Sequence, residues 1–189
     1  MSDTTVLHTL RCIGYAELAR LAGISELPED ETESHLIDLA VDGFVHRTPP
    51  PFPTWGLTEA GKAEDARRIT AELEDAGART AVTSAYDRFM VLNPELLDLC
   101  SAALDDHADA ARDARVLARF VNLDERAGPV CADLGAALPR FNRYRVRLTS
   151  ALDQAKSGSR DHLATTTDSY HGVWFQLHED LLATLGIPR

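Results

Sequence analysis

The chain has 189 residues, 44% of them apolar and 26% charged, and its 19 Lys and Arg against 30 Asp and Glu give a formal charge of −11. That suits one compact domain or two small ones sharing a core, and it excludes a general polyanion binder or a peripheral protein held on anionic lipid by bulk charge. No stretch approaches the roughly 18 to 20 unbroken apolar residues of a membrane span, and Met1 to Leu10 lacks the basic start and apolar run of a signal peptide, so the expectation is a soluble cytoplasmic protein.

Val6, Leu7, Leu10 and Ile13 fall on one face of a first helix that Gly14 ends. Tyr15 to Ala22 reads as a second helix, with Leu18, Ala19 and Ala22 inward and Gly23 closing it. A third starts near Pro28, with Glu29, Asp30 and Glu31 in its first turn, where the positive end of the helix dipole favours carboxylates. Leu36, Leu39 and Ala40 supply its inner face and Gly43 stops it. Phe44 to Thr48 is a short strand. Pro49, Pro50, Pro51 and Pro53 form a stiff loop, and Trp55 to Thr58 is the returning strand.

Thr58 caps a long helix, about Glu59 to Leu92, with a kink at Gly77. Asn93 and Pro94 punctuate it and open the next helix, which carries Leu96, Leu97, Cys100 and Leu104. Another spans about Ala108 to Val121. Pro129 opens a further helix, which Pro139 kinks or divides. Residues 156 to 160, KSGSR, form a turn, and the last helix, about Thr166 to Leu185, has Tyr170, Val173, Trp174, Leu177 and Leu181 on one face. The fold class is therefore mainly α. Residues 1–61 form three helices plus a β-hairpin, and residues 62–189 form an all-α bundle.

Three helices and a hairpin in this order give the winged-helix arrangement, and the residues carry a resemblance. YAELARLAGIS resembles the first helix and turn of a helix-turn-helix. ESHLIDLAVDGFVHR resembles the recognition helix running into the first wing strand, and WGLTEAGKAE the strand and helix start that follow the wing in MarR-like winged-helix regulators. The resemblance implies a DNA-binding transcriptional regulator whose helical domain makes a homodimer and offers room for a small-molecule effector. The stretch LARLAGISELPEDETESHLIDLAVDGFV also resembles tail pieces of some bacterial phosphotransfer enzymes of the pyruvate, phosphate dikinase type. That implies the rival reading, a protein-binding adaptor that keeps the fold without DNA.

In the DNA reading the third helix presents Glu31, Thr32, Ser34, His35 and Asp38, of which Thr32, Ser34 and His35 can bond base edges or phosphates. Arg20, Arg47, Lys62 and Arg67 supply the phosphate contacts, with Arg47 on the wing strand. Residues 1–70 nevertheless hold six basic against twelve acidic residues, which sets the helix against a phosphate backbone.

In the bundle, RFNRYRVR places Arg140, Arg143 and Arg147 on one helix face, to hold an anionic ligand or to pair with Asp105, Asp106 and Asp109. Arg143, Tyr144, His171 and Trp174 are the expected effector lining, and Trp174, Phe175, Leu177 and Leu181 the expected dimer surface. His171 and His178 stand about 10 Å apart along a helix, too far to share one ion unaided. Cys12, Cys100 and Cys131 show no zinc-type spacing and read as buried thiols. Nucleophile-elbow, phosphate-loop and dinucleotide motifs are missing, so neither an enzyme nor a cofactor is expected.

Overall fold

The computed structural model describes residues 2–51, 53–105 and 109–188. It is mainly helical, with one two-stranded antiparallel sheet among the described residues. No helix among them is long and apolar enough to cross a membrane. The chain divides into two compact units, Met1–Asp75 with Glu179–Arg189, and Ala76–His178.

The first unit holds α1 (Ser2–Ile13), α2 (Leu18–Ser25), α3 (Glu29–Val41), β1 (Val45–Arg47), β2 (Trp55–Leu57) and α4 (Glu59–Asp75). Its core gathers Val6, Leu7 and Leu10 of α1, Leu21, Leu36, Leu39, Val45 and Trp55. The strands pair in the register Val45 with Leu57, His46 with Gly56 and Arg47 with Trp55. Residues 15–17, expected to begin the second helix, are not helical. Ala16 exchanges both backbone hydrogen bonds with Trp55, at 3.0 and 2.8 Å, and adds a third bridge beside the hairpin.

Gly23 does not close α2. The helix runs two residues further because Ile24 and Ser25 are buried, and Glu26 takes the left-handed position at φ 58°. Gly61 has another reason to be glycine: a Cβ there would fall on the Phe44 carbonyl. Thr58 Oγ1 accepts from Gly61 N at 2.9 Å, the expected cap.

The second unit is built on α5 (Arg79–Ala103) lying along α6 (Ala110–Ala137), with a 3-10 turn Pro139–Phe141, α7 (Asn142–Lys156) and α8 (Asp161–Ala164). The last helix, α9 (Tyr170–Leu185), gives its residues up to His178 to this unit and the rest to the first. Phe89 stacks on Trp174 at 4.4 Å and Phe120 meets Tyr170 edge-on at 5.6 Å.

Three expectations of the helix pattern are corrected here. The helix from Glu59 does not reach Leu92; it stops at Asp75, and Gly77 turns the chain with φ 59°. Asn93 and Pro94 do not divide α5, and Pro129 does not open a helix but sits inside α6. Both prolines are exposed, so water can satisfy the carbonyls they orphan, while buried residues on either side keep the helix going. Asn93 Oδ1 instead accepts from the Trp174 indole at 3.0 Å. Pro139 does divide its helix.

Asp109 caps α6 by accepting from Arg112 N at 2.7 Å, and the expected start at Ala108 lies outside the described residues. The domain boundary expected at residue 61 falls within α4, whose buried Ile69 and Leu73 belong to the first unit.

Gly23→Ala should raise the melting temperature, since nothing lies within 4 Å of its added Cβ and mid-helix alanine is better by about 0.5–1 kcal/mol. Glu26→Gly should raise it too, by relieving the left-handed backbone. Gly61→Ala should lower stability by about 1–3 kcal/mol. Thermal unfolding of the three variants reads all three signs.

Candidate interaction face

The third helix exposes Glu29, Asp30, Glu31, Glu33, Ser34, Ile37, Asp38 and Val41. Every charged group on that face is a carboxylate. Val41 is 82% and Ile37 52% exposed, two aliphatic side chains left bare in an acidic surface. Thr32 is not on this face, contrary to the expectation. It is fully buried, and its Oγ1 donates back to the Pro28 carbonyl at 2.9 Å because its position belongs to the stripe of Leu36 and Leu39. Ser34 is exposed. His35 is 24% exposed, its Nε2 3.5 Å from Glu31 one turn earlier.

Lys62 and Arg67, two of the four cations expected on phosphate, are engaged by carboxylates of their own helix. Lys62 Nζ donates to Glu59 at 2.7 Å. Arg67 makes two bonds to Glu64, at 2.8 and 2.7 Å, and Arg68 joins Glu64 to Asp3 at 2.7 and 2.6 Å. Arg67 and Arg68 together hold the Glu64 carboxyl down to about 2. Arg20 lies half-buried on α2.

Arg47 is the exception. It is exposed on β1, with its guanidinium 5.6 Å from the centre of the Trp55 ring. Beside it Tyr15, 57% exposed, meets His46 edge-on, its hydroxyl 3.3 Å from Nε2. A cavity of about 230 Å³ opens next to Tyr15, with Leu10, Arg11, Gly14, Leu57 and Lys62 as its other walls.

In the second unit Tyr144 and Trp174 are core residues. The Tyr144 hydroxyl donates to the Gln176 carbonyl at 3.4 Å, and Arg143 donates to that hydroxyl at 3.1 Å. His171 is half-buried. On the arginine face, Arg147 has partners other than the expected acids. Arg147 bonds Gln176 at 2.8 Å and Asp168 at 3.2 Å, and its burial lowers its basicity. Arg140 lies over the Phe141 ring. Asp105 instead pairs with Arg112 at 2.6 Å, and Asp106 is outside the described residues.

Arg145, which no site reading used, forks onto Asp124 at 2.8 and 2.7 Å. That hydrogen bond holds its proton more tightly. The buried Tyr170 hydroxyl donates to the same carboxylate at 3.1 Å, and burial pushes the phenol's pKa up. Cys100 and Cys131 are driven by burial up to about 12 and about 11, so they are inert thiols.

Sequence reasoning also missed a buried polar cluster in the first unit. His8 Nδ1 lies 3.0 Å from Asp65 Oδ1, its Nε2 lies 3.0 Å from Asp180 Oδ1, and Cys12 Sγ is 3.7 Å from Nε2. The one signal in the sequence was His8 and Cys12 four residues apart on a helix, a spacing that places them on one face.

No protein-family model, curated protein or solved structure matches the chain.

Glu64 provides a pH test. Its folded pKa is depressed from 4.5 to about 2, so its contribution to stability is complete above 4.5 and disappears as pH falls through about 2. Glu64→Gln should flatten the acid limb of stability against pH between those values, measured by urea unfolding at stepped pH, and leave the neutral-to-alkaline limb parallel to wild type.

Proposed function

We propose that the first unit is a winged-helix module that docks on a partner protein, and that the second unit dimerises the chain. The winged-helix reading is supported by the order α1, bridge, α2, α3, hairpin, and by the proline-rich loop at the wing position. The docking reading is carried by the outer face of α3, which offers carboxylates around bare Ile37 and Val41. Such a face suits a basic surface with an apolar recess, since aliphatic anchors supply burial and the charges supply orientation. The partner class implied by the sequence resemblance is a phosphotransfer enzyme of the pyruvate, phosphate dikinase type.

The second reading is a DNA-binding regulator, and one observation favours it: Arg47 stands exposed on the first wing strand, braced on Trp55. A small-molecule effector site gains no support from Tyr144 and Trp174, whose polar atoms are bonded inside the core.

Gel shifts at low ionic strength, with DNA flanking the gene, separate the two. The docking reading expects no retardation at micromolar protein and no change with Arg47→Ala. Retardation would replace it with the DNA reading, in which roughly 3 to 5 phosphates per subunit give a log–log salt slope of about −5 to −9 for a dimer. Arg47→Ala would then flatten that slope by about 1.

The apolar surface that would serve the proposed dimer also differs from the expected one. Trp174, Leu177 and Leu181 are buried within the chain, and of that group only Phe175 is exposed. On α5 and at its C-cap, Met90, Leu97 and Leu104 are exposed at seven-residue intervals with Val91 beside them, a spacing that supplies one of the two apolar positions of the repeat by which helices pair. Light scattering should give about twice the chain mass, and Leu97→Glu should give a monomer with unchanged helicity.

A further inference from the structure

Neither surface uses the buried cluster of the first unit. His8 and Cys12 stand one turn apart on α1, Asp65 comes from α4 and Asp180 from the last turns of α9. His8, Asp65, Asp180 and Cys12 are all buried, which is unusual company for a neutral apolar core. Three donor atoms converge there: His8 Nε2, Cys12 Sγ and Asp180 Oδ1 all lie within 4.8 Å of one another. Nε2 is 3.0 Å from Oδ1 and 3.7 Å from Sγ. Around a tetrahedral zinc-class ion, with bonds of about 2.0–2.3 Å, neighbouring nitrogen, sulfur and oxygen donors stand about 3.2–3.7 Å apart. The His–Cys edge is at that spacing, and the His–Asp edge needs to open by only a few tenths of an ångström.

The outer groups are also in place. Asp65 reaches Nδ1 with both oxygens, at 3.0 and 3.3 Å, which fixes the proton on Nδ1 and turns Nε2 toward Cys12 and Asp180. That carboxylate–imidazole arrangement is the usual support of a metal-binding histidine. Thr184 Oγ1 donates to Asp180 Oδ1 at 3.0 Å and orients the second ligand.

A divalent ion bound there takes the place of any proton on Nε2 and of the Cys12 thiol proton, leaving a ring that donates once, to Asp65, and a thiolate and an Asp180 carboxylate that balance the ion.

We propose that His8 Nε2, Cys12 Sγ and Asp180 Oδ1 bind one divalent transition-metal ion of the zinc class, with Asp65 orienting the histidine. The thiolate disfavours calcium and magnesium, which take oxygen ligands. Three protein donors leave the fourth tetrahedral position to water or to an incoming ligand, whereas a closed structural site would use four.

Cobalt is the probe, because a cysteine ligand gives a near-ultraviolet thiolate-to-cobalt band that histidine and carboxylate ligands do not. In the full-length Cys100→Ala/Cys131→Ala variant, Cys12 is the sole thiol. Refolded with cobalt(II), that variant should take up one equivalent and show the band. Adding Cys12→Ser should abolish the band and weaken cobalt binding by more than about 100-fold, and Asp65→Asn should weaken it about 10- to 100-fold with the band retained. A folded double variant that takes up no cobalt, or takes it up without the band, overturns the proposal. Should the double variant not fold, the single Cys12→Ser change decides: loss of the wild-type band supports the site, and its survival, or its absence from wild type, overturns it.

Discussion

One imidazole joins the two buried carboxylates of the first unit. Asp65 and Asp180 are both fully buried, and His8 lies between them at 3.0 Å from each. Two carboxylates without a counter-group would be strongly disfavoured in such surroundings. Removing one member of a buried ionic cluster strands the others, at about 3–5 kcal/mol. The cluster also explains why α1 is buried on more than one side. Val6, Leu7 and Leu10 form its apolar stripe toward α2, α3 and β2, and His8 and Cys12 form a second, polar stripe toward α4 and the end of α9. A helix with two buried stripes has its rotation fixed twice, once by packing and once by hydrogen bonding, so the elements of this unit are located by α1.

Local chemistry made much of the fold legible. The Gly14 and Gly43 breaks, the Thr58 cap, the pairing of β1 with β2 and the division at Pro139 all follow from residues that act on their immediate neighbours. What misled was punctuation read without its tertiary setting. Pro94 and Pro129 carry the same local penalty as Pro139, yet α5 and α6 pass through them, because buried residues such as Leu92, Leu96, Ala127 and Val130 hold the helix on either side. Gly23 looked like a stop, but Ile24 and Ser25 are buried and carry α2 past it onto Glu26. Packing at long range outweighed propensity in each case.

Sites were less legible than helices, for a geometric reason. Thr32 was assigned outward on its hydrogen-bonding chemistry, but it shares the inner stripe of α3 with Leu36 and Leu39, four and three residues apart in turn. Arg145 looked like one arginine among four, and only the fold brings Asp124 and Tyr170 to it, 21 and 46 residues apart from their partners. The His8 cluster joins residues separated by up to 172 positions, so the spacing of His8 and Cys12 was the whole of its sequence signal.

The electrostatics of α3 and α4 run in one direction. Carboxylates in the first turn of α3 are stabilised by the helix dipole, so Glu29, Asp30 and Glu31 favour the helix they begin. Nothing in folding requires Glu33 and Asp38 to follow them outward, and a helix destined for a groove between phosphates would repel its target with each. On α4 the same pattern takes another form. Lys62 and Arg67, the cations nearest in sequence to the wing, are answered by Glu59 and Glu64 three residues before them. Each such pair adds only a few tenths of a kcal/mol to the helix. Its larger effect is on the surface field, because a lysine or arginine matched within its own helix presents little net charge to a polyanion. An outer face rich in exposed carboxylates, beside cations largely matched within their own helix, suits the positively charged partner proposed above, and the exposed side chains of Ile37 and Val41 would give it something to bury.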